Sequence, residues 1–146
     1  ELSAAVGVPV LTSSLMQVST VNMLLPDRKK AGILTISKST LSDAHLRAAN
    51  VPSDTPIGTT EDGAEFSRVI LNDELQLNID LARMDNINAA LKMKTDYPEL
   101  GAIILECTNM SPYAEAIQEA VELPVYSIVN FVEWLHAGLK PKRFFS

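Results

Sequence analysis

Apolar residues in the 146-residue chain form short runs of β-branched and aliphatic side chains, separated by longer stretches where they recur every three or four positions. Alternation of these two periods is typical of parallel βαβ units. The pattern predicts strands at Val8–Thr12, Ala31–Thr35, Pro56–Thr59, Ala102–Glu106 and Val125–Ser127. It predicts helices over residues 14–24, 41–49, 75–96, 111–121 and 128–138. The predicted fold class is α/β, a flavodoxin-like parallel sheet with flanking helices.

Two of these elements also carry information on burial. The strand at residues 102–106 begins with four apolar residues in succession, as expected for a strand covered on both faces, so we predict a central position in the sheet. In the longest helix, apolar side chains three or four positions apart predict one stripe that faces the core. The members of this stripe are Leu77, Leu81, Met84, Ile87 and Leu91.

A short pattern occurs twice in the chain. The sequence AVGVPV at residues 5–10 and the sequence AVELPV at residues 120–125 match at an offset of 115 positions. A serine and a segment of helix length follow each copy. Each segment is closed by a second proline, which lies 17 positions after the proline within the copy. Two such matches can arise by chance in an α/β protein, but the shared spacing favours a duplicated unit.

A duplicated unit predicts three parts of the chain. Residues 1–27 are the remnant of a first α/β half, residues 28–128 form a second α/β domain, and residues 129–146 are a C-terminal helix and tail that return toward the first half. The same offset puts a counterpart of Cys107 eight positions before Glu1. Because the sequence does not begin with methionine, we expect a processed chain or a fragment.

Charge and composition narrow the classes of function. A net charge of −6 with scattered lysines and arginines provides no basic face for nucleic acid. The sequence has neither a run of apolar residues long enough to span a membrane nor a signal peptide, and this favours a cytoplasmic protein without a membrane partner. A single cysteine excludes an internal disulfide, and no spacing of cysteine and histidine resembles a metal site.

The single cysteine, Cys107, stands where the apolar run of residues 102–105 stops and a helix is predicted to start. Ser111 and Pro112 are suited to the N-cap and first position of that helix, and Glu115 puts an acid in its first turn. The carboxyl edge of a parallel sheet is where ligands bind, and helix N-termini favour thiolates and carboxylates. A pKa below that of a free thiol is therefore expected. A buried structural cysteine is the equally weighted alternative.

The stretch around Cys107, GAIILECTNMSPYAEAIQEAVELPVYSIV, resembles the aspartate/glutamate racemase superfamily, which also includes hydantoin racemases, maleate isomerases and arylmalonate decarboxylases. The resemblance implies two similar α/β halves with the active site between them, and one catalytic cysteine in each half. It covers nearly the whole chain but matches only the later three-fifths of a family protein. Glu106 stands where many family members carry a small residue, and strand alternation points its side chain away from Cys107.

The resemblance also implies roles for individual residues. Cys107 would be the acid or base of the second half, and Thr108 and Asn109 would donate hydrogen bonds to the substrate.

The stretch AGILTISKSTLS resembles the segment that binds a substrate carboxylate, and its candidate hydroxyls are Thr35, Ser37 and Ser39. Thr12 and Ser13 would face the same cleft from the first half. Ordinary caps and turns are an equally good interpretation of any single hydroxyl. Neither His45 nor His136 is assigned a catalytic role.

Three functions remain open. The first is a racemase or epimerase of a small carboxylate-bearing substrate, of amino-acid or hydantoin type, that needs no cofactor or metal. Two cysteines would exchange the proton on opposite faces of one carbon, so the chain alone is expected to be inactive. The second is a decarboxylase or cis-trans isomerase of the same superfamily that uses one cysteine, and the third is a non-catalytic carboxylate-binding fragment. A homodimer is also left open.

Overall fold

The computed structural model describes residues 2–145. Its α-helices are α1 (Leu2–Ala5), α2 (Val18–Leu24), α3 (Asp43–Ala48), α4 (Phe66–Leu71), α5 (Ile79–Asp96), α6 (Ala114–Val121) and α7 (Ile128–Leu139). The strands are β1 (Lys30–Thr35), β2 (Ile57–Thr59), β3 (Leu100–Leu105) and β4 (Val125–Tyr126). Two 3-10 helices, Ser14–Gln17 and Thr108–Tyr113, lead directly into α2 and α6.

Across the described residues the strands form one parallel sheet in the order β2-β1-β3-β4. Ile33 of β1 pairs with Ile57 on one side and with Ile104 of β3 on the other. Every residue of β3 is buried, as its uninterrupted apolar run predicts. The predicted α/β fold with a parallel sheet and flanking helices is therefore confirmed.

The sheet has a hydrophobic layer on each face because successive side chains of a strand point in opposite directions. Ile33 and Ile104 point to one face, where Leu15 of the first 3-10 helix and two residues of α2, Val18 and Val21, cover them. Leu34, Ile103 and Leu105 point to the other face, under α5, α6 and Phe66 of α4. This burial of both faces leaves the two ends of the central strands as the places where ligands can reach the sheet.

Residues 8–12 are not a strand. They have no regular secondary structure, and Val8 is 63% exposed. A strand requires a neighbour to complete its hydrogen bonds, and no described strand pairs with this segment. The strand predicted at Val8–Thr12 is therefore wrong, although the following helix, α2, packs on the sheet and Asn22 accepts a hydrogen bond from the Ala31 N–H at 2.7 Å. The division of the chain into two halves stays a prediction.

Helix α5 turns a different face to the core from the one that the sequence predicts. Its buried residues are Ala82, Asn86, Ala89, Ala90 and Met93. By contrast, Leu81, Met84 and Leu91 of the predicted stripe are 51%, 50% and 39% exposed. Small side chains let the helix approach the sheet closely, and Met93 lies so near Gly58 of β2 that a Cβ there would overlap it. Close packing on a glycine-containing strand therefore sets the orientation of the helix.

Helix α7 lies at the edge of the described structure and has no buried side chain. Its aromatic rings Phe131 and Trp134 stack with centroids 5.7 Å apart, and Trp134 is 69% exposed. None of the helices within residues 2–145 combines the length and the apolar character needed to cross a lipid bilayer.

Candidate functional site

The strand order reverses between β1 and β3, since β2 lies beyond β1 and β4 lies beyond β3. In open parallel sheets, ligands bind at the carboxyl ends of the strands at such a switch point. Thr35 ends β1, and Glu106 and Cys107 follow β3. The Glu106 N–H donates to the carbonyl of Leu34 at 2.9 Å, which holds the two strand ends side by side.

Cys107 carries a partly buried free thiol at the N-cap of the 3-10 helix Thr108–Tyr113. Ser111 and Pro112 lie inside this helix and not at its start. The hydroxyl of Ser111 is buried and has no hydrogen-bond partner among the described residues. The N-cap predicted at Ser111 is wrong because the chain begins to turn immediately after it leaves the strand.

Burial raises the pKa of the Cys107 thiol above its ordinary value, and the negative charge of Glu106 acts in the same direction. The backbone N–H groups of Asn109 and Met110 oppose this by favouring the thiolate, but they do not outweigh burial. The expected lowering of the Cys107 pKa is therefore wrong. Burial and the Glu106 charge favour the protonated thiol, the form that can donate a proton.

The segment after residue 12 is fixed against the same end of the sheet. Ser14, which is 1% exposed, donates to the carbonyl of Leu105 at 2.8 Å, just before the Glu106-Cys107 pair. Gln17 donates to the carbonyl of Ser127 at 3.1 Å, which joins the segment to the start of α7. Two buried polar side chains thus hold this segment in place opposite Cys107.

A cavity of about 370 Å³ lies between this segment and the end of β3. Cys107 and Thr108 line it from one side, and Thr12 and Ser13 from the other. Ser13 also caps the first 3-10 helix by accepting from a backbone N–H. The structure thus brings four predicted site residues into one cavity. Asn109 is exposed and does not line it.

An adjoining cavity of about 470 Å³ extends from Thr12 and Ser13 toward α3. Its wall includes Thr35 and His45, and Glu106 lines both cavities. The hydroxyl of Thr35 donates to the Glu106 carboxylate at 2.9 Å. Thr35 therefore lies in the cleft, as a partner of a glutamate.

The other two predicted carboxylate-binding hydroxyls, Ser37 and Ser39, are bonded to a carboxylate of the protein itself. They donate to Glu61 at 2.7 and 3.0 Å, and the N–H of Lys38 donates to the same carboxylate at 3.0 Å. These bonds, that from Ser37 foremost, lower the pKa of Glu61 to about 2. Neither serine lines the two cavities. These hydroxyl groups therefore do bind a carboxylate, but it is the carboxylate of Glu61, and the bonds close the loop after β1.

Sequence reasoning missed two residues that belong to the cleft. Glu106 was expected to point away from the cysteine, yet its side chain lines the cavity that holds Cys107. His45, to which no catalytic role was assigned, is an exposed residue of α3 that lines the adjoining cavity, and its ring pairs with the Ser42 hydroxyl at 3.2 Å. The usable signal for Glu106 was its position at the end of a buried strand.

The polar groups at the cleft define what it can do chemically. Hydroxyl groups, a thiol, a carboxylate and an imidazole line the two cavities. Within residues 2–145, no group of three histidine, cysteine or acidic side chains converges closely enough to hold a metal ion. The groups present are suited to hydrogen bonding and to moving a proton.

The architecture is an α/β fold with one parallel sheet, and a solved racemase has a similar fold. No model of a protein family matches the chain. Allantoin racemase from Pseudomonas fluorescens has a similar structure, with a TM-score of 0.55 over 90% of this chain and 16% sequence identity. At that identity the likeness establishes the fold alone.

A second similarity is local. Over 41 residues, 28% of this chain, the sequence is 38% identical to dimethylsulfoniopropionate lyase 5 of Emiliania huxleyi. The matched stretch is 8% of that lyase, and the structural match spans 60% of the racemase chain. The chain thus corresponds to only part of each of these two proteins.

Proposed function

We propose that the complete protein transfers a proton at a carbon atom next to a carboxylate or, in a hydantoin, next to a ring carbonyl group, and that Cys107 is the acid or base. Racemisation or epimerisation of a small amino acid or hydantoin-type compound is the first candidate reaction. The observation that carries the proposal is the cavity in which Cys107 faces Thr12 and Ser13 at the switch point of a racemase-like sheet.

The chemistry follows from the groups in this cavity. In its deprotonated form, which burial and the Glu106 charge disfavour, Cys107 takes the proton from the carbon. The electron pair then moves onto the substrate carboxylate as an enediolate. Hydroxyl donors such as Thr12, Ser13 and Thr108 stabilise the negative charge where it develops. Racemisation then requires a proton from the opposite face. Since Cys107 is the only cysteine in the sequence, that proton comes from another kind of side chain or from outside these residues.

A second candidate is a lyase reaction, which the 41-residue similarity to a dimethylsulfoniopropionate lyase favours. The same base removes the proton next to the carboxylate, and the electron pair forms a carbon-carbon double bond. The bond to sulfur breaks, so dimethyl sulfide leaves and acrylate remains. Elimination needs a single base, which Cys107 can supply without a partner on the opposite face.

Product analysis with the full-length protein and its Cys107→Ser variant tests this proposal. Chiral chromatography of aspartate, glutamate and a substituted hydantoin detects racemisation, and gas chromatography of dimethyl sulfide detects elimination. We expect turnover in one of these assays and a loss of about a thousandfold in the variant, because a hydroxyl is a far weaker acid near neutral pH than a thiol. Turnover in the variant above a tenth of the wild-type value would exclude Cys107 as the acid or base.

A further inference from the structure

We infer that Glu106 selects a zwitterionic substrate, one that carries a fixed positive charge a few bonds from its carboxylate, as an ammonium or a sulfonium group. This inference rests on the proposed function, because it names the substrate class of the same cleft. It assigns to Glu106 the recognition of the cation.

The geometry of Glu106 is that of a charge without a counterion. Its side chain is partly buried, and one carboxylate oxygen accepts from the Thr35 hydroxyl at 2.9 Å. No lysine, arginine or histidine within residues 2–145 forms an ion pair with it. A partly desolvated carboxylate with one neutral donor is stabilised by a cation that enters its cavity.

Among residues 2–145, no lysine or arginine lines the two cavities beside Glu106, so neither side chain competes there with a bound cation. The carboxylate of Glu106 is the only acidic group that the described residues contribute to either wall. The remaining polar groups are hydroxyls, the Cys107 thiol and His45. A substrate with a carboxylate alone would meet a like charge here, whereas a zwitterion can direct its carboxylate to the hydroxyls and its cation to Glu106.

The position of Glu106 also couples recognition of the cation to the reacting group. Glu106 directly precedes Cys107, and its charge is one of the causes that raise the pKa of the thiol. A bound cation near Glu106 offsets that charge, so the correct substrate itself makes the thiolate easier to form. A substrate without a cation provides no such compensation.

Binding of matched ligands tests the inference without requiring turnover. Dimethylsulfoniopropionate and 4-methylpentanoate have nearly the same shape and the same carboxylate, but a positive sulfur in the first is a neutral carbon in the second. The amino acid β-alanine is the third ligand, and it carries an ammonium group in place of the sulfonium. Dissociation constants are measured by calorimetry or NMR for the wild type, for Glu106→Gln, and for Glu119→Gln, an exposed glutamate that lines neither cavity.

We expect the wild type and Glu119→Gln to bind at least one zwitterion about tenfold more tightly than 4-methylpentanoate. Glu106→Gln should reduce this ratio to about one, since the amide keeps the shape and the Thr35 contact but removes the charge. A preference for only one of the two zwitterions distinguishes an ammonium from a sulfonium substrate.

Three outcomes would overturn the inference: no preference for the zwitterions in the wild type, an unchanged preference in Glu106→Gln, or no saturable binding of any of the three ligands. These outcomes are separate from failure of the proposed function, which is decided by Cys107→Ser. If the preference for zwitterions depends on Glu106 but turnover survives in Cys107→Ser, the assignment of Glu106 is supported. The proposed role of the Cys107 thiol is then wrong.

Discussion

At the scale of single residues, Cys107 and its neighbour Glu106 have opposing effects on proton transfer in the cleft. Cys107 must lose a proton to act as a base, while the charge of Glu106 and burial both favour the protonated thiol. The sequence predicted the place of Cys107 at the end of a strand, but not its proton affinity. Burial and the direction of the Glu106 side chain depend on residues distant in the chain, such as Thr35, which donates to Glu106.

Alkylation of Cys107 by iodoacetamide across a range of pH tests the direction of its pKa. We expect the labelling rate of the folded protein to have its midpoint above about 8.5, the value of a free thiol, because burial disfavours the thiolate. Glu106→Gln should lower this midpoint, since it removes one of the raising charges, while Glu119→Gln should leave it unchanged. A wild-type midpoint below that of free cysteine would show that the helix start outweighs burial.

At the scale of elements, local pattern was sufficient where an element depends on its own residues. The predicted strands at 31–35, 56–59, 102–106 and 125–127 match β1, β2, β3 and β4 to within two residues at each end. Helix α4 was not predicted, because its stabilising contacts come from elsewhere in the chain. Its first N–H groups are bonded by the carboxylate of Asp85, which lies on α5: Glu65 donates at 2.7 Å and Phe66 at 2.8 Å.

Replacement of Asp85 therefore tests how α4 is held. We expect Asp85→Ala to lower the free energy of unfolding by about 2 kcal/mol, because it leaves partly buried N–H groups without an acceptor. Asp62→Ala is the control, since Asp62 is an exposed residue of the preceding loop without a side-chain hydrogen bond among the described residues. Urea unfolding at neutral pH measures both variants. Equal midpoints for the two would contradict the assigned role of Asp85.

At the scale of the whole molecule, the order of the strands brings the site together. Thr12, Thr35 and Cys107 are far apart in the sequence, yet they line two adjoining cavities that share Thr12. This arrangement arises because β1 and β3 are neighbours at the switch point and because Ser14 ties the N-terminal segment to the end of β3. Resemblance supplied candidates for this site. The resemblance could not show that Ser37 and Ser39 bond to Glu61. That contact depends on the fold, which brings Glu61, just after β2, next to the loop that follows β1.

The central claim is that Cys107 moves the proton next to a substrate carboxylate. It is tested most directly with substrates deuterated at that carbon, because racemisation with solvent exchange and elimination both release deuterium into water. The full-length protein is incubated with deuterated aspartate, glutamate or dimethylsulfoniopropionate, and deuterium NMR measures the label in the solvent. We predict release with at least one substrate and a decrease of about a thousandfold in Cys107→Ser. Release at the wild-type rate in that variant would contradict the account.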